Sequence, residues 1–324
     1  MPHHRSFAAS LIVVLPLLCT GNASAQRYPS KPIRYLVADA AGSGSDTIAR
    51  IIAPGLASVL SQQVLVDNRP GATGTIGADI AAKAPADGYT LLQTSSALAA
   101  AASLYRSLPF ELTRDFAAVT QLATAPQVVV VHPSLPVKSI AELVKLAKAK
   151  PNALVFGSAG SASSTHLAAE MFKADAGIQM LHVAYRGGGP AITAVISGET
   201  SVYFAPVAAA LPHITQGRLR TLAVTTAQRV ALMPEVPTMA EAGIRGYATG
   251  QWYGLLVPAK TPREIIGTLR DATAAVLATP AVNKRLVDAG YIVIGDQPEA
   301  FSAHLKNETE RLGKVIRQLG LKAE

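Results

Sequence analysis

Apolar positions along this chain recur in two periods. Short strand-like runs fall at 33–38 (IRYLVA), 63–67 (QVLVD), 89–93 (YTLLQ), 127–132 (QVVVVH), 153–157 (ALVFG), 180–184 (MLHVA), 201–205 (SVYFA), 220–225 (RTLAVT), 252–257 (WYGLLV) and 291–294 (YIVI). Between most of them the apolar spacing lengthens to that of a helix, as in SIAELVKLAKAK and SSTHLAAEMFKADAG, where Leu167, Met171 and Phe172 form one stripe. Strands alternating with helices predict an α/β fold with parallel-rich sheets covered on both faces. A last helix over roughly 297–318 aligns Phe301, Leu305, Leu312, Val315, Ile316 and Leu319. One helix carries a conflict. Ile48, Ile51, Ile52, Leu56, Val59 and Leu60 share a face, but Pro54-Gly55 interrupts them. An interior proline costs about 3 kcal/mol, so a kink or two short helices are predicted there.

The segments joining strand to helix have their own pattern. ADAAGSGSDTIAR (38–50) runs from a strand into two glycines and the capping types Ser43, Ser45 and Asp46. It is not a Walker A loop, since no Lys-Ser/Thr pair follows, and it lacks the third glycine of the dinucleotide fingerprint. Two readings stay open, an ordinary capped turn and an anion site at a helix N-terminus. The second loop, FGSAGSASSTHLAAE (156–170), repeats the arrangement, and YRGGGPAIT (185–193) follows a strand with glycines and Pro190. Three such loops predict a binding site at the carboxyl ends of strands. Helix N-termini from separate parts of the chain could then grip opposite ends of a small dianion.

Composition narrows the choice. The 324 residues are 49% hydrophobic and 15% charged, enough for a large core in one big domain or two ordinary ones. The net charge is +8, but the basic residues are scattered and not interleaved with aromatics, so nucleic acid is not an expected partner. Residues 1–25 pair Arg5 with an apolar stretch near 7–18 and end in Ala23-Ser24-Ala25. That is the form of a secretory signal peptide. Cys19, the one cysteine, lies within it, and Leu18 and Pro16 do not suit a lipidation signal. A mature chain from Gln26, having lost Arg5, would carry +7 and no cysteine.

Catalytic patterns are poor. No G-x-S-x-G, S-x-x-K or H-E-x-x-H motif occurs, so no catalytic residue, metal or cofactor is expected. His166 and Glu170 stand four apart on one helix, too few groups for a metal site; His132, His182 and His213 each stand alone. Trp252 and Tyr253 read as core or as an aromatic cleft wall.

In order and with regular spacing, YPSKPIRYLVADAAGSGSDTIAR, VDNRPGATGTIGADIAAKAPADGYTLL, GSASSTHLAAEMF, HVAYRGGGPAITAVISGE, LPHITQGRLRTLAVTTAQR and PEVPTMAEAGIRGY…WYGLLVPAKTP make the chain from about Tyr28 onward resemble the Bug-type solute-binding proteins. These are periplasmic receptors of tripartite tricarboxylate transporters. The resemblance implies a two-lobed periplasmic-binding-protein fold (type II) with crossing hinge strands, its lobes being 27–124 with 226–324, and 125–225. It implies a monomer that takes a small carboxylate and passes it to membrane permease subunits. In family terms the first loop supplies Ala40, Ala41, Gly42, Ser43, Gly44, Ser45 and Asp46, with Ser95 and Ser96 beside it. The second supplies Ser158, Ala159, Gly160, Ser163, Ser164, Thr165 and His166, and the third Tyr185, Arg186, Gly187 and Gly188; Ala205 and Trp252 complete the cleft. Two positions depart from the family pattern. Ala40-Ala41 replace prolines behind Asp39, and Ala205 replaces an aspartate, which suggests a more apolar wall and a longer or aromatic dicarboxylate. A secreted α/β enzyme acting on a carboxylated substrate and a receptor for a sensor kinase are the competing readings.

Overall fold

The computed structural model describes residues 28–321. The signal peptide expected over 1–25, with Cys19, lies outside them. In chain order the elements are β1 (Ile33–Val37), α1 (Gly44–Leu60), β2 (Val64–Asn68), α2 (Thr75–Ala82), β3 (Thr90–Ser95), α3 (Ser96–Leu104), β4 (Phe116–Ala125), β5 (Gln127–Val131), α4 (Ile140–Ala149), β6 (Val155–Ser158) and α5 (Ser164–Ala176). There follow β7 (Leu181–Ala184), α6 (Gly188–Ser197), β8 (Val202–Pro206), α7 (Val207–Thr215), β9 (Arg220–Val224), β10 (Gln251–Pro258), α8 (Arg263–Ala278), α9 (Pro280–Asp288), β11 (Ile292–Val293) and α10 (Pro298–Gln318).

The strands form two sheets, ordered β11-β4-β10-β3-β1-β2 and β7-β6-β8-β5-β9. Both are mixed. β1, β2 and β3 run parallel, as do β6, β7 and β8. β10 is antiparallel to β3 and β4, β11 to β4, and β5 to β8 and β9. The parallel arrangement expected from strand–helix alternation therefore holds within β1–β3 and within β6–β8, whereas β5, joined to β6 through α4, runs opposite to it. The antiparallel pairs arise where the chain passes between sheets, because only Pro126 separates β4 from β5.

Side chains alternate across each sheet, as a pleat requires. Ile33, Tyr35 and Val37 of β1 face α1, α8 and α9, whereas Leu36 and the following Ala38 face α2, α3 and α10. In the second sheet Val129, Val131, Val202 and Phe204 pack under α4 and α5, and Val128, Val130, Tyr203 and Ala205 under α6 and α7. Each sheet is thus a helix-covered layer with a core on both faces.

Two crossings connect the sheets, β4 to β5 through Pro126 and β9 to β10 through residues 225–250. They are tied side by side. Thr225, fully buried, receives Thr249 N–H at 2.8 Å and gives its own N–H to Gln127 O at 2.9 Å. Its hydroxyl lies 2.8 Å from Thr249 O and 3.1 Å from Gln127 O. A third link is α10, where Arg311 reaches Met171 Sδ on α5 at 2.9 Å.

The break expected at Pro54 does not divide α1, which is one helix of 17 residues with the proline inside it. Ile48, Ile51, Ile52, Leu56 and Leu60 are buried along it. At about 1.5–3 kcal/mol each, those side chains outweigh one missing hydrogen bond. Gly55 adds a close contact, for a Cβ there would stand 2.7 Å from Val276 Cγ1. Pro54 itself is exposed. Pro54→Ala restores the donor toward Arg50 O at some cost in unfolded-state entropy, and should stabilise the protein by about 2 kcal/mol. Urea unfolding checks this; a loss of stability would mean that the proline shapes α1 in a way packing alone does not.

Candidate ligand-binding site

All three Gly/Ser loops lie at the carboxyl ends of parallel strands, and these ends approach the crossings in both sheets. Val37 of β1 is level with Gln93 of β3, and Ser95 is level with Tyr253 of β10, three residues past the crossing. In the other sheet the loops after β6 and β7 are joined, with Tyr185 N–H on Ser158 O at 3.0 Å and Gly187 N–H on Ala159 O at 3.1 Å. Gln127, just after the crossing, donates to Ser164 Oγ at 3.2 Å, which ties the start of α5 to the same place.

The first loop is rigid and partly self-satisfied. Ser43 caps α1, accepting Asp46 N–H at 3.2 Å, and Asp46 accepts Gly42 N–H at 2.8 Å. Arg50 grips both oxygens of Asp46 at 2.9 Å. Burial pushes the Asp46 carboxyl up, yet the bonds from Arg50, Gly42 and Asn68 outweigh it and hold the group below its ordinary value. Asp39 accepts the Ser45 hydroxyl, while Gln93 donates to Ser45 O at 2.8 Å and Tyr291 to Gly44 O at 3.3 Å. Gly44 is glycine by necessity, since a Cβ would run into the Tyr253 hydroxyl. Among the described residues, the N–H groups of Gly44 and Ser45 have no protein acceptor.

The second loop is held by its hydroxyls. Ser163 caps α5 through His166 N–H at 3.3 Å, and Thr165 Oγ1 accepts Ala159 N–H at 2.9 Å. His166 Nδ1 accepts Ala162 N–H at 2.9 Å, and Ser158 Oγ lies 2.7 Å from His182 Nε2. Ser164, Thr165, Gly188 and Gly189 keep N–H groups without a protein acceptor among the described residues. In the third loop Tyr185 donates to Glu199 at 2.7 Å, and Arg186 is exposed.

The residues named from sequence divide by exposure. Ala40, Ala41, Gly42, Ser43, Gly44, Ala159, Gly160, Ser163, Ser164, Tyr185, Arg186, Gly187 and Gly188 reach solvent wholly or in part. Ser45, Asp46, Ser95, Ser96, Ser158, Thr165 and His166 are buried beneath them and shape the loops. Trp252 takes the core position of its two readings: 2% exposed, it packs edge-on against Phe301 and His304 and donates to Glu308 at 3.3 Å. Ala205, fully buried in β8, points into the core under α6 and α7. It exposes no surface in this structure.

His182 does not stand alone, as its sequence neighbours suggested; its ring stacks on His166 at 3.8 Å with 9° between the planes. Strand pairing of β6 with β7 creates that contact, and no short motif announces it. Gln93, Gln127 and Thr225 were also not singled out as loop and hinge ties, although buried amides and hydroxyls in apolar strands are the available signal. A cavity of about 20 Å³, room for about one water, lies where the halves meet, lined by Ser96, Ala162, Ser164, Gly250 and Arg311 among others.

With this geometry in view, the chain belongs to the tripartite tricarboxylate transporter receptor family, whose model matches residues 48–321. Receptors of this family bind solutes and are not enzymes as a class. The chain is 38% identical over 310 residues to the "UPF0065 protein in tcbD-tcbE intergenic region" of Pseudomonas sp. (strain P51), covering 94% of this chain and 92% of that one. It is 34% identical to BugT of Bordetella pertussis over 301 residues, 92% of each chain. Among solved structures, R. palustris Rpa4515 with adipate superposes at a TM-score of 0.76, with 33% identity over 91% of this chain and 99% of that one. MatC of Rhodopseudomonas palustris with bound malate gives 0.73, with 27% identity over 89% and 100%. The fold is that of the periplasmic binding proteins.

Asp46 provides a test of the first loop. Its lowered carboxyl favours the folded state at any pH above about 4, the ordinary aspartate range. That contribution is lost as acid protonates the folded form at still lower pH. Asp46→Asn should therefore be less stable than the parent at pH 7, with the gap narrowing as acid protonates the folded carboxyl. Urea midpoints measured from pH 7 into acid decide; a constant gap at every pH would show that the carboxylate charge is not what holds the loop.

Proposed function

We propose that this chain is a periplasmic receptor that captures a small carboxylate, a dicarboxylate in the first instance, and delivers it to a tripartite tricarboxylate-type permease in the inner membrane. The capturing lobes are 27–124 with 226–324, and 125–225, and the protein works as a monomer after removal of residues 1–25. One observation carries the reading: unpaired N–H groups at the starts of α1, α5 and α6 stand at strand ends in two different sheets. Amide donors and helix dipoles suit an anion held at both ends. The first loop brings its own counter-charge, since Asp39 and Asp46 outnumber Arg50 there. Its grip on a carboxylate therefore rests on the backbone N–H groups. Adipate and malate in related structures support the ligand class.

Two crossings laced at Thr225 give a hinge about which the lobes can close on ligand. A thermal-shift screen of the mature protein against aliphatic and aromatic mono- and dicarboxylates tests the reading. Ligand at 100 times Kd adds about 2.7 kcal/mol, which should raise Tm by roughly 5–10 °C. A response confined to dicarboxylates of one length range is expected. No response to any carboxylate, adipate and malate included, would overturn the ligand class.

A further inference from the structure

We propose that the stacked imidazoles of His166 and His182 are the positioning pair of the second loop, and that ligand capture requires both rings to be neutral. The proposal rests on the reading that this loop holds the ligand. Ala162 N–H donates to His166 Nδ1 at 2.9 Å, so that nitrogen presents a lone pair and the ring proton sits on Nε2. Nε2 in turn faces Glu170 Oε1 at 3.7 Å, and Lys173 clamps Glu170 at 2.7 and 2.8 Å. On the other ring, His182 Nε2 lies 2.7 Å from Ser158 Oγ. That hydroxyl also touches the Gly160 N–H at 3.2 Å and carbonyl at 3.0 Å. Two loop segments, 158–160 and 162, therefore hang on two imidazole nitrogens.

The surroundings make the His182 ring a poor place for a second proton. The rings are 3.8 Å apart and nearly parallel, and the Phe156 ring lies beside the pair, 4.8 Å from His182 and 6.1 Å from His166. The facing charges are Glu170 and Lys173, both on α5; β6 contributes Phe156, with Lys173 Nζ 5.5 Å above its ring. Burial first, then the neighbouring His166, hold the His182 ring neutral down to about pH 4. A proton placed on His166 Nδ1 would set one N–H against that of Ala162 and displace the loop backbone. Ligand bound to an intact loop opposes that proton. By linkage, affinity then falls as the rings take up protons, by up to tenfold per pH unit for each, and is level while both are neutral.

The test uses the mature chain and two readouts. Proton–nitrogen NMR of the ligand-free protein from pH 8 to 4 reports the His166 tautomer, both ring titrations and the Ala162 amide. Calorimetry with adipate and with malate over the same range reports affinity for the wild type and for the double variant His166→Asn/His182→Gln. His166→Asn places its amide oxygen near the former Nδ1 and His182→Gln its amide NH2 near the former Nε2, and neither titrates. Expected are an Nε2–H tautomer for His166, an Ala162 amide that shifts with the ring nitrogens, and wild-type affinity that follows the variant's from pH 7.5 to 5 and drops about twofold below it by pH 4, where the His182 ring is half-protonated. The variant's own slope would then reflect only titration of the free dicarboxylate. An Nδ1–H tautomer, an Ala162 amide indifferent to ring titration, or matching pH profiles overturns the proposal. If neither ligand binds at any pH, the adipate and malate reading fails, and the tautomer and amide titration still decide the pair. They also decide if the double variant does not fold.

Discussion

Thr225 ties the two crossings together, and the placing of every loop around them follows from that lacing. Its N–H and hydroxyl both reach Gln127 O, and its hydroxyl also reaches Thr249 O. Without those bonds β4–β5 and β9–β10 would be two independent tethers. With them the tethers act as one ribbon, and Gln127 on that ribbon also contacts Ser164 at the start of α5. The constraint is local, yet it sets where the helix N-termini of one sheet stand relative to those of the other. Burial makes the tie hard to break, because each of these polar groups, once unpaired, costs about 1–3 kcal/mol.

Much of the fold was legible in the pattern of apolar residues, and the omissions have physical reasons. The strand–helix alternation located ten strands and the long closing helix. It did not show β4, the longest strand, whose sequence FAAVTQLATA contains four alanines and the polar pair Thr120-Gln121. Alanine is a weak strand former. The polar pair looks wrong for a buried strand until Asp296 is seen to take the Gln121 N–H at 2.7 Å and to offer its carbonyl to the Thr120 hydroxyl at 2.9 Å. That partner lies far along the chain. At Pro54 the two-helix alternative fails for the opposite reason, because a local propensity was overridden by a buried face it could not report.

The loops were legible as glycines and serines and much less so as wiring. Ser43 and Ser163 cap α1 and α5, as their positions suggested. The sequence could not say that Asp46 would take the Gly42 N–H for itself, so that α1 offers a ligand fewer donors than its glycines imply. Only the i, i+4 spacing of Asp46 and Arg50 hinted at it. Nor could it bring His182 onto His166, because their contact is made by strand register. Side-chain chemistry at a site follows periodicity only as far as one element extends.

The position of β10 has a further consequence, for the way this molecule is made. It lies between β3 and β4, in the middle of its sheet, yet it begins only at Gln251. Until that segment arrives, β3 and β4 each present an unpaired edge, and Phe301, which fills the space over Gly254, is still to come. The half containing β1 therefore cannot close while the chain is growing, whereas the sheet of β5–β9 has all its strands once Val224 is made. Pairings this distant form slowly. Assembly should proceed from the inside of the sequence outward, with the amino-terminal strands waiting, open to chaperones and to aggregation, for their central partner.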